Sequence, residues 1–148
     1  MNIVAKVLAV LEGIVLVTVG VLESFFFRNS AFHPIFLINP DEYDAVRLWT
    51  VNVGWYNIFM GLGVIVGVIL ASTGRVAAGR AIVLFGCVLH VLLGITLFIS
   101  EPRLWVSAIG EAGLALAVVL AIVIGDRMSQ RNAPRVAATS EPSAPPRR

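Results

Sequence analysis

Charge is scarce in this chain, and its scarcity excludes an ordinary soluble domain. Only 14% of the 148 residues are charged and 58% are hydrophobic, with a mean hydropathy of +0.90. Soluble domains carry roughly 25% charged residues. The single cysteine excludes an internal disulfide framework. The net charge of +2 does not indicate a nucleic-acid partner, because the basic residues follow the pattern of a membrane protein.

The few charges are segregated, which leaves four long apolar runs. Residues 50–73 and 81–100 contain no Asp, Glu, Lys or Arg, residues 104–125 contain only Glu111, and residues 4–27 contain only three charges. Runs of about 20 residues cross the hydrocarbon core as helices, and continuous apolarity favours helices over a barrel. The sequence therefore predicts an all-α, integral membrane four-helix bundle. Its helices are expected at about 3–27, 50–72, 81–99 and 104–125.

The flanking segments complete the predicted organisation. The first run is expected to be a retained helix, since its apolar part is too long for a signal peptide and no small-x-small cleavage site follows. Residues 1–125 form the membrane domain, and residues 126–148, rich in Pro, Ser, Ala and Arg, are expected to be a disordered basic tail. The longer first loop contains "FHPIFLI", which is too short to span and is expected to lie at the interface or fold back over the bundle.

The basic residues predict an orientation. Eight of the 11 Lys and Arg lie on the side shared by both termini and the connection at 73–80, whereas Arg28, Arg47 and Arg103 lie on the other side. The positive-inside rule places both termini in the cytoplasm and the first loop outside. Arginine far outnumbers lysine, and Ala, Gly and Val are abundant, which is typical of a GC-rich bacterium. We therefore expect a multi-pass protein of the bacterial plasma membrane.

Several polar side chains lie inside the predicted spans. A charged side chain facing lipid costs roughly 2.5–3.5 kcal/mol on insertion scales, so the carboxyls must face protein or water, or be protonated. The interval between Glu12 and Glu23 is close to three full turns, so they share one face of their helix. In one antiparallel bundle these groups can converge on a polar interior. The candidate binding residues are Glu12, Glu23, Asn52, Tyr56, Asn57, His90 and Glu111.

Each candidate also has a purely structural interpretation. Interhelical polar pairs hold membrane bundles together and contribute about 0.6 kcal/mol each on average. Asn52 and Tyr56 are one turn apart, whereas Asn57 points to a different side of the same helix. His90 has glycines four residues before and after it, which indicates close approach of another helix.

Three motifs carry a family resemblance: "LESFFF" in the first run, "NVGWYNIFMGLG" in the second and "GEAGLALAVVLAI" in the fourth. They resemble small bacterial four-helix membrane proteins of the domain of unknown function 1304 family. In that family a first-helix "LE" followed by aromatics, matched by Glu23, and a second-helix "N-x-G-x-Y-N" recur. Asn52, Gly54, Tyr56 and Asn57 match the second motif. The resemblance implies the fold and the membrane location and supplies no mechanism.

Three functional hypotheses follow. In the first, the interior binds or transports a small solute or protons. In the second, the protein is a structural or accessory subunit, and glycines such as Gly63 and Gly67 pack against a second copy or a partner membrane protein. In the third, it is a membrane enzyme acting on a lipophilic substrate. The third has least support, since the sequence contains no HExxH motif, no paired metal ligands and no nucleophile with a base at usable spacing. No catalytic residue, metal or cofactor is predicted, and the expected partner is the lipid bilayer.

Overall fold

The computed structural model describes residues 1–132, and these residues form four long helices joined by short helical turns. Three 3-10 turns, at Ser30–Phe32, Pro40–Glu42 and Pro102–Leu104, lie in the connections. The α-helices are α1 (Ile3–Val21), the short α2 (His33–Phe36), α3 (Tyr43–Ser72), α4 (Val76–Ser100) and α5 (Trp105–Asn132).

Each long helix is apolar and long enough to cross a membrane. The four candidate spans, with their helical extensions, are 24, 33, 25 and 29 residues long. Most of their large apolar side chains face outward, where lipid lies, and this outward apolar surface is what a bilayer requires. The chain is therefore a multi-pass membrane protein, and the prediction of an all-α bundle of four membrane helices is confirmed.

The long helices form a closed ring in the order α1, α3, α4, α5, in which each packs against two neighbours. We call the end that carries residues 27–42 and 101–104 the loop end. The opposite end, where α1 begins, is the termini end. There the Asn2 side chain accepts a hydrogen bond from the backbone N–H of Ala5 (2.7 Å) and donates one to the carbonyl of Ala121 (2.8 Å). The Arg80 and Asp126 side chains form an ion pair between α4 and α5.

Helices α1 and α3 approach to backbone contact. A Cβ atom at Gly61 would lie 2.5 Å from the carbonyl oxygen of Gly13, and one at Gly54 would lie 2.6 Å from that of Gly20. Real Cβ atoms do not come that close to another atom, so glycine is required at these contacts. The two pairs fix the rotation and register of α1 against α3.

The turn between α3 and α4 also depends on a glycine. Gly74 has φ +94°, a left-handed conformation that other residues rarely adopt. The Arg75 N–H then donates to the Leu70 carbonyl (3.0 Å), which is the closing bond of a Schellman cap. This cap turns the chain within three residues, so α4 begins at Val76.

The helix bounds differ from the predicted ones because a helix extends beyond its apolar run. Helix α3 begins at Tyr43 rather than near 50, directly after a turn in which the Glu42 carboxylate accepts from the Asn39 N–H (3.0 Å). Helix α4 begins at Val76 rather than at the predicted residue 81, so Arg80, which is paired with Asp126, lies within the helix. Helix α5 continues to Asn132, so residues 126–132 of the predicted tail are helical. The rest of that tail lies outside the described residues.

The first membrane helix changes its hydrogen bonding near the loop end. After α1 the chain continues as a π-helical segment, Leu22–Phe26, instead of the regular helix predicted to residue 27. The "FHPIFLI" segment folds back, since Ser107 on α5 donates to the Ile35 carbonyl (3.3 Å) and His33 is hydrogen-bonded to Tyr43. The loop is thus fastened to both α3 and α5.

We predict that Gly54→Val destabilises the protein, because the added side chain meets the backbone of α1. Overpacking of this kind costs about 1–3 kcal/mol. The measurement is thermal unfolding in detergent. Gly63→Val is the matched control on the same helix, since a Cβ there meets nothing within 4 Å. Equal stability of the two variants would contradict the α1–α3 contact.

Candidate functional site

Glu12 is the central polar group of the bundle. It belongs to the inward row of α1, with Ala5, Ala9 and Leu16 one or two turns away. Its side chain is 1% exposed. Neither carboxyl oxygen has a hydrogen-bond partner among the described residues. Since buried polar groups are nearly always hydrogen-bonded, an unpartnered buried carboxyl requires an explanation.

His90 is the second buried group of this kind. It is 0% exposed, and its Nδ1 atom lies 2.9 Å from the carbonyl oxygen of Gly86. A carbonyl oxygen only accepts, so Nδ1 carries the hydrogen of that bond. In the neutral ring Nε2 is therefore an acceptor, and it is buried without a partner among the described residues.

Glu12 and His90 lie in one layer of the bundle, since their depths along the bundle axis differ by no more than about one helical turn. Gly13 contacts α3 beside Ile65, and the neighbouring Val64 contacts Gly86, one turn from His90 on α4. The thiol of Cys87, also on the inward face of α4, lies within electrostatic range of the Glu12 carboxyl. We call Glu12 and His90 the polar layer.

Glu111 connects this layer with a second polar group nearer the loop end. It lies on α5 beside Ala112, which packs against Gly94 one turn beyond His90. Its carboxyl interacts electrostatically with both Glu12 and Glu23 of the first membrane helix. Glu111 is half-buried. The contact of Ala112 with Gly94 places Glu111 nearer the loop end than Glu12.

The second polar group is the pair Glu23 and Asn57. The Asn57 side-chain amide donates to the Glu23 carboxyl over 2.7 Å, and both side chains are half-buried. The neighbouring Ser24 is buried, and its hydroxyl donates to the Val51 carbonyl (3.4 Å). Ser24 was missed by the sequence argument, because a lone serine in an apolar run carries no signal of its own.

Within residues 1–132, the buried side chains on the termini side of the polar layer are apolar. Each of the four long helices contributes to this cluster. Its members lie at the level of the polar layer, as Val64 and Cys87 do, or between that layer and the termini end. We call it the apolar floor. It consists of Ala5, Ala9, Val64, Val68, Val83, Cys87, Ala115, Val118 and Ile122.

Two predicted interior residues lie elsewhere. Asn52 and Tyr56 are exposed on the outer face of α3, with Tyr56 66% exposed, and the Asn52 amide donates to the Leu48 carbonyl of its own helix (2.7 Å). The inward row of α3 is Gly54, Ile58 and Gly61, and both polar residues lie about 200° from Gly54. Their predicted place in the interior was therefore wrong. Of the other five candidates, Glu12 and His90 are buried, and Glu23, Asn57 and Glu111 are half-buried.

The polar groups at the loop end have local structural roles. Arg103 donates three hydrogen bonds to Glu101, two from its guanidinium (2.8 and 2.7 Å) and one from its N–H (3.1 Å). These bonds lower the pKa of the Glu101 carboxyl to about 2 and keep it charged. Within residues 1–132 no group of three or more His, Cys, Asp or Glu side chains is arranged to hold a metal ion.

The family that the three motifs resemble is confirmed by comparison with protein-family models. The model described as "Protein of unknown function (DUF1304)" matches residues 10–124. The chain belongs to this family. All five interior polar residues of this DUF1304 protein fall within the matched residues. No curated protein and no solved structure matches the chain.

We predict that Glu12→Met stabilises the protein. An unpartnered buried polar group costs about 1–3 kcal/mol, and a methionine of similar length removes that cost without opening a large cavity. The measurement is thermal unfolding in detergent. Glu23→Met is the matched control, which should destabilise because Asn57 loses its acceptor. Destabilisation of both variants would show that Glu12 only holds helices together.

Proposed function

We propose that this DUF1304 protein resides in the bacterial plasma membrane, where its bundle interior binds or transports a small solute or protons. One observation carries the proposal. The two oxygens of Glu12 and the Nε2 atom of His90 are buried in one layer without partners in the described chain. A bundle that needed only packing would fill this layer with apolar side chains, because the unpartnered groups oppose folding.

The arrangement of the other polar groups supports the proposal. Polar side chains that hold two helices together do so by hydrogen bonding to each other, and the bond between Asn57 and Glu23 is of this kind. Glu12 makes no such bond, although Glu111 and Cys87 lie within electrostatic range of it. Ionisable groups that face the interior of a membrane bundle commonly mark an ion or substrate path. Glu23, Glu111 and Glu12 form such a series from the loop end inward.

The proposed orientation places the loop end outside the cell. The excess of Lys and Arg at the termini end supports a cytoplasmic location for both termini. The polar series would then begin on the extracytoplasmic side, and the apolar floor would face the cytoplasm.

A reporter experiment tests this orientation. We predict that an alkaline phosphatase, which is active only outside the cytoplasm, is active when inserted after Asn29 and inactive when fused after Arg148. A fluorescent protein that matures only in the cytoplasm should give the opposite pattern. The reverse result for both reporters would overturn the orientation.

The function is tested in proteoliposomes. Proton flux is followed with a trapped pH-sensitive dye, and solute flux by the osmotic swelling that glycerol or urea causes. We predict that Glu23→Gln and Asn57→Ala each reduce the protein-dependent flux about tenfold, since each weakens a hydrogen bond of roughly 1.5 kcal/mol to a carboxyl group.

The control for the flux experiment is Asn52→Ala, which removes an asparagine from the outer face of the same helix. This variant should retain the flux of the unmodified protein. If Glu23→Gln and Asn57→Ala both retain full flux while inserting normally, the interior is not the functional site.

A further inference from the structure

The polar layer is packed too closely for a solute of several atoms. Glu12 and His90 are 1% and 0% exposed, and α1 and α3 are in backbone contact at Gly13, the residue next to Glu12. Two open cavities lie on the surface near the loop end, and neither is lined by a residue of this layer. A ligand bound at Glu12 must therefore be very small.

The chemistry of the two groups defines which kind of ligand they can bind. His90 commits its Nδ1 hydrogen to Gly86 and presents the lone pair of Nε2. Glu12 presents two carboxyl oxygens, which in the ionised form are acceptors only. All three unpartnered atoms thus accept hydrogen. In the described residues, the long helices contribute no lysine or arginine to this layer.

The route to the layer is asymmetric. Half-buried Glu23 and Glu111 lead toward Glu12 from the loop end. From the termini end the apolar floor intervenes, and its members are between 0% and 7% exposed. Protons move along carboxyl groups and water, and an apolar layer that excludes water stops them.

We infer that the ligand is a proton, taken up from the loop end and held at Glu12, in the layer that also contains His90. This inference rests on the proposed function and narrows it from a small solute or protons to protons. A hydronium ion at the loop end supplies one proton, which binds one oxygen of the Glu12 carboxylate and gives the neutral acid, and one water molecule is left at the loop end. The O–H bond of the acid becomes a donor, and the lone pair of His90 Nε2 is an acceptor in the same layer.

The groups that face Glu12 set the conditions for this uptake. Helix α5 contributes Glu111, and α4 contributes Cys87 and His90. At this level the residues of α3 that contact α1 or α4 include Gly61, Val64 and Ile65, and residues 58–69 of α3 contain no titratable side chain. Glu12 therefore has one neighbouring carboxyl and no permanent cation among the described residues, so a bound proton is the means of removing its charge.

Infrared difference spectroscopy of proteoliposomes tests the assignment. A step from alkaline to acid buffer should produce the C=O band of a carboxylic acid. Glu12→Gln should lose one band, and Glu12→Asp should retain that band at a shifted frequency, which guards against misfolding of the first variant. Asp41→Asn, at an exposed loop residue, is the matched control and should retain the Glu12 band. Identical spectra for Glu12→Gln and the unmodified protein would overturn the inference.

The rate at which the band appears tests the route. Glu23→Gln and Glu111→Gln should each slow its appearance at least tenfold, whereas Asp126→Asn at the termini end should leave the rate unchanged. Slowing only in Asp126→Asn would overturn entry from the loop end.

The flux assays separate this inference from the proposed function. Swelling with glycerol or urea that depends on Glu23, with no Glu12 band, would overturn the proton assignment and leave the proposed function standing. A Glu12 band without protein-dependent dye response or swelling would support the proton assignment and limit the interior to binding.

Discussion

The backbone contact between α1 and α3 is the constraint on which the rest of the bundle depends. Two glycine pairs, Gly13 with Gly61 and Gly20 with Gly54, leave no room for a Cβ atom, so they fix both the rotation and the register of α1. With α1 held in this way, Glu12 cannot turn toward lipid. A single rotation therefore determines that the carboxyl is buried. Packing of small residues is the main attraction available between helices in lipid, so the bundle accepts this burial as part of its closest contact.

The polarity of the interior changes from one end of the ring to the other. Between the polar layer and the loop end, the buried or half-buried polar residues Glu23, Ser24, Asn57 and Glu111 occur together with buried apolar residues such as Leu16 and Ile58. Toward the termini end the buried cluster consists of Ala, Val, Ile and one Cys. Polar pairs that only hold helices together could be distributed evenly along the bundle and would not produce this division. The division agrees with the proposed site, which would be approached from the loop end and closed by the apolar floor.

The four spans and most interior residues could be predicted from the sequence, because lipid demands long apolar helices and penalises exposed carboxyls. Not every helix end could, since the start of α4 at Val76 depends on the cap that Gly74 and Arg75 form after α3. The outward position of Asn52 and Tyr56 was also missed. Their angular distance from Gly54 predicts the outward position, whereas their polarity alone predicts burial. Which face of α3 turns inward is decided by the glycines.

The π-helical segment shows how the second polar group is built. In a regular helix Glu23 and Ser24 would point about 100° apart, and only one would meet α3 well. Here Glu23 accepts from Asn57 while Ser24 donates to the Val51 carbonyl, so both engage the same neighbouring helix. The wider turn at Leu22–Phe26 permits this double contact. Such turns are frequent at functional sites, and this one is located where the polar series begins. Under the proposed function, the Glu23–Asn57 pair would form the entry of that series as well as a bond between two helices.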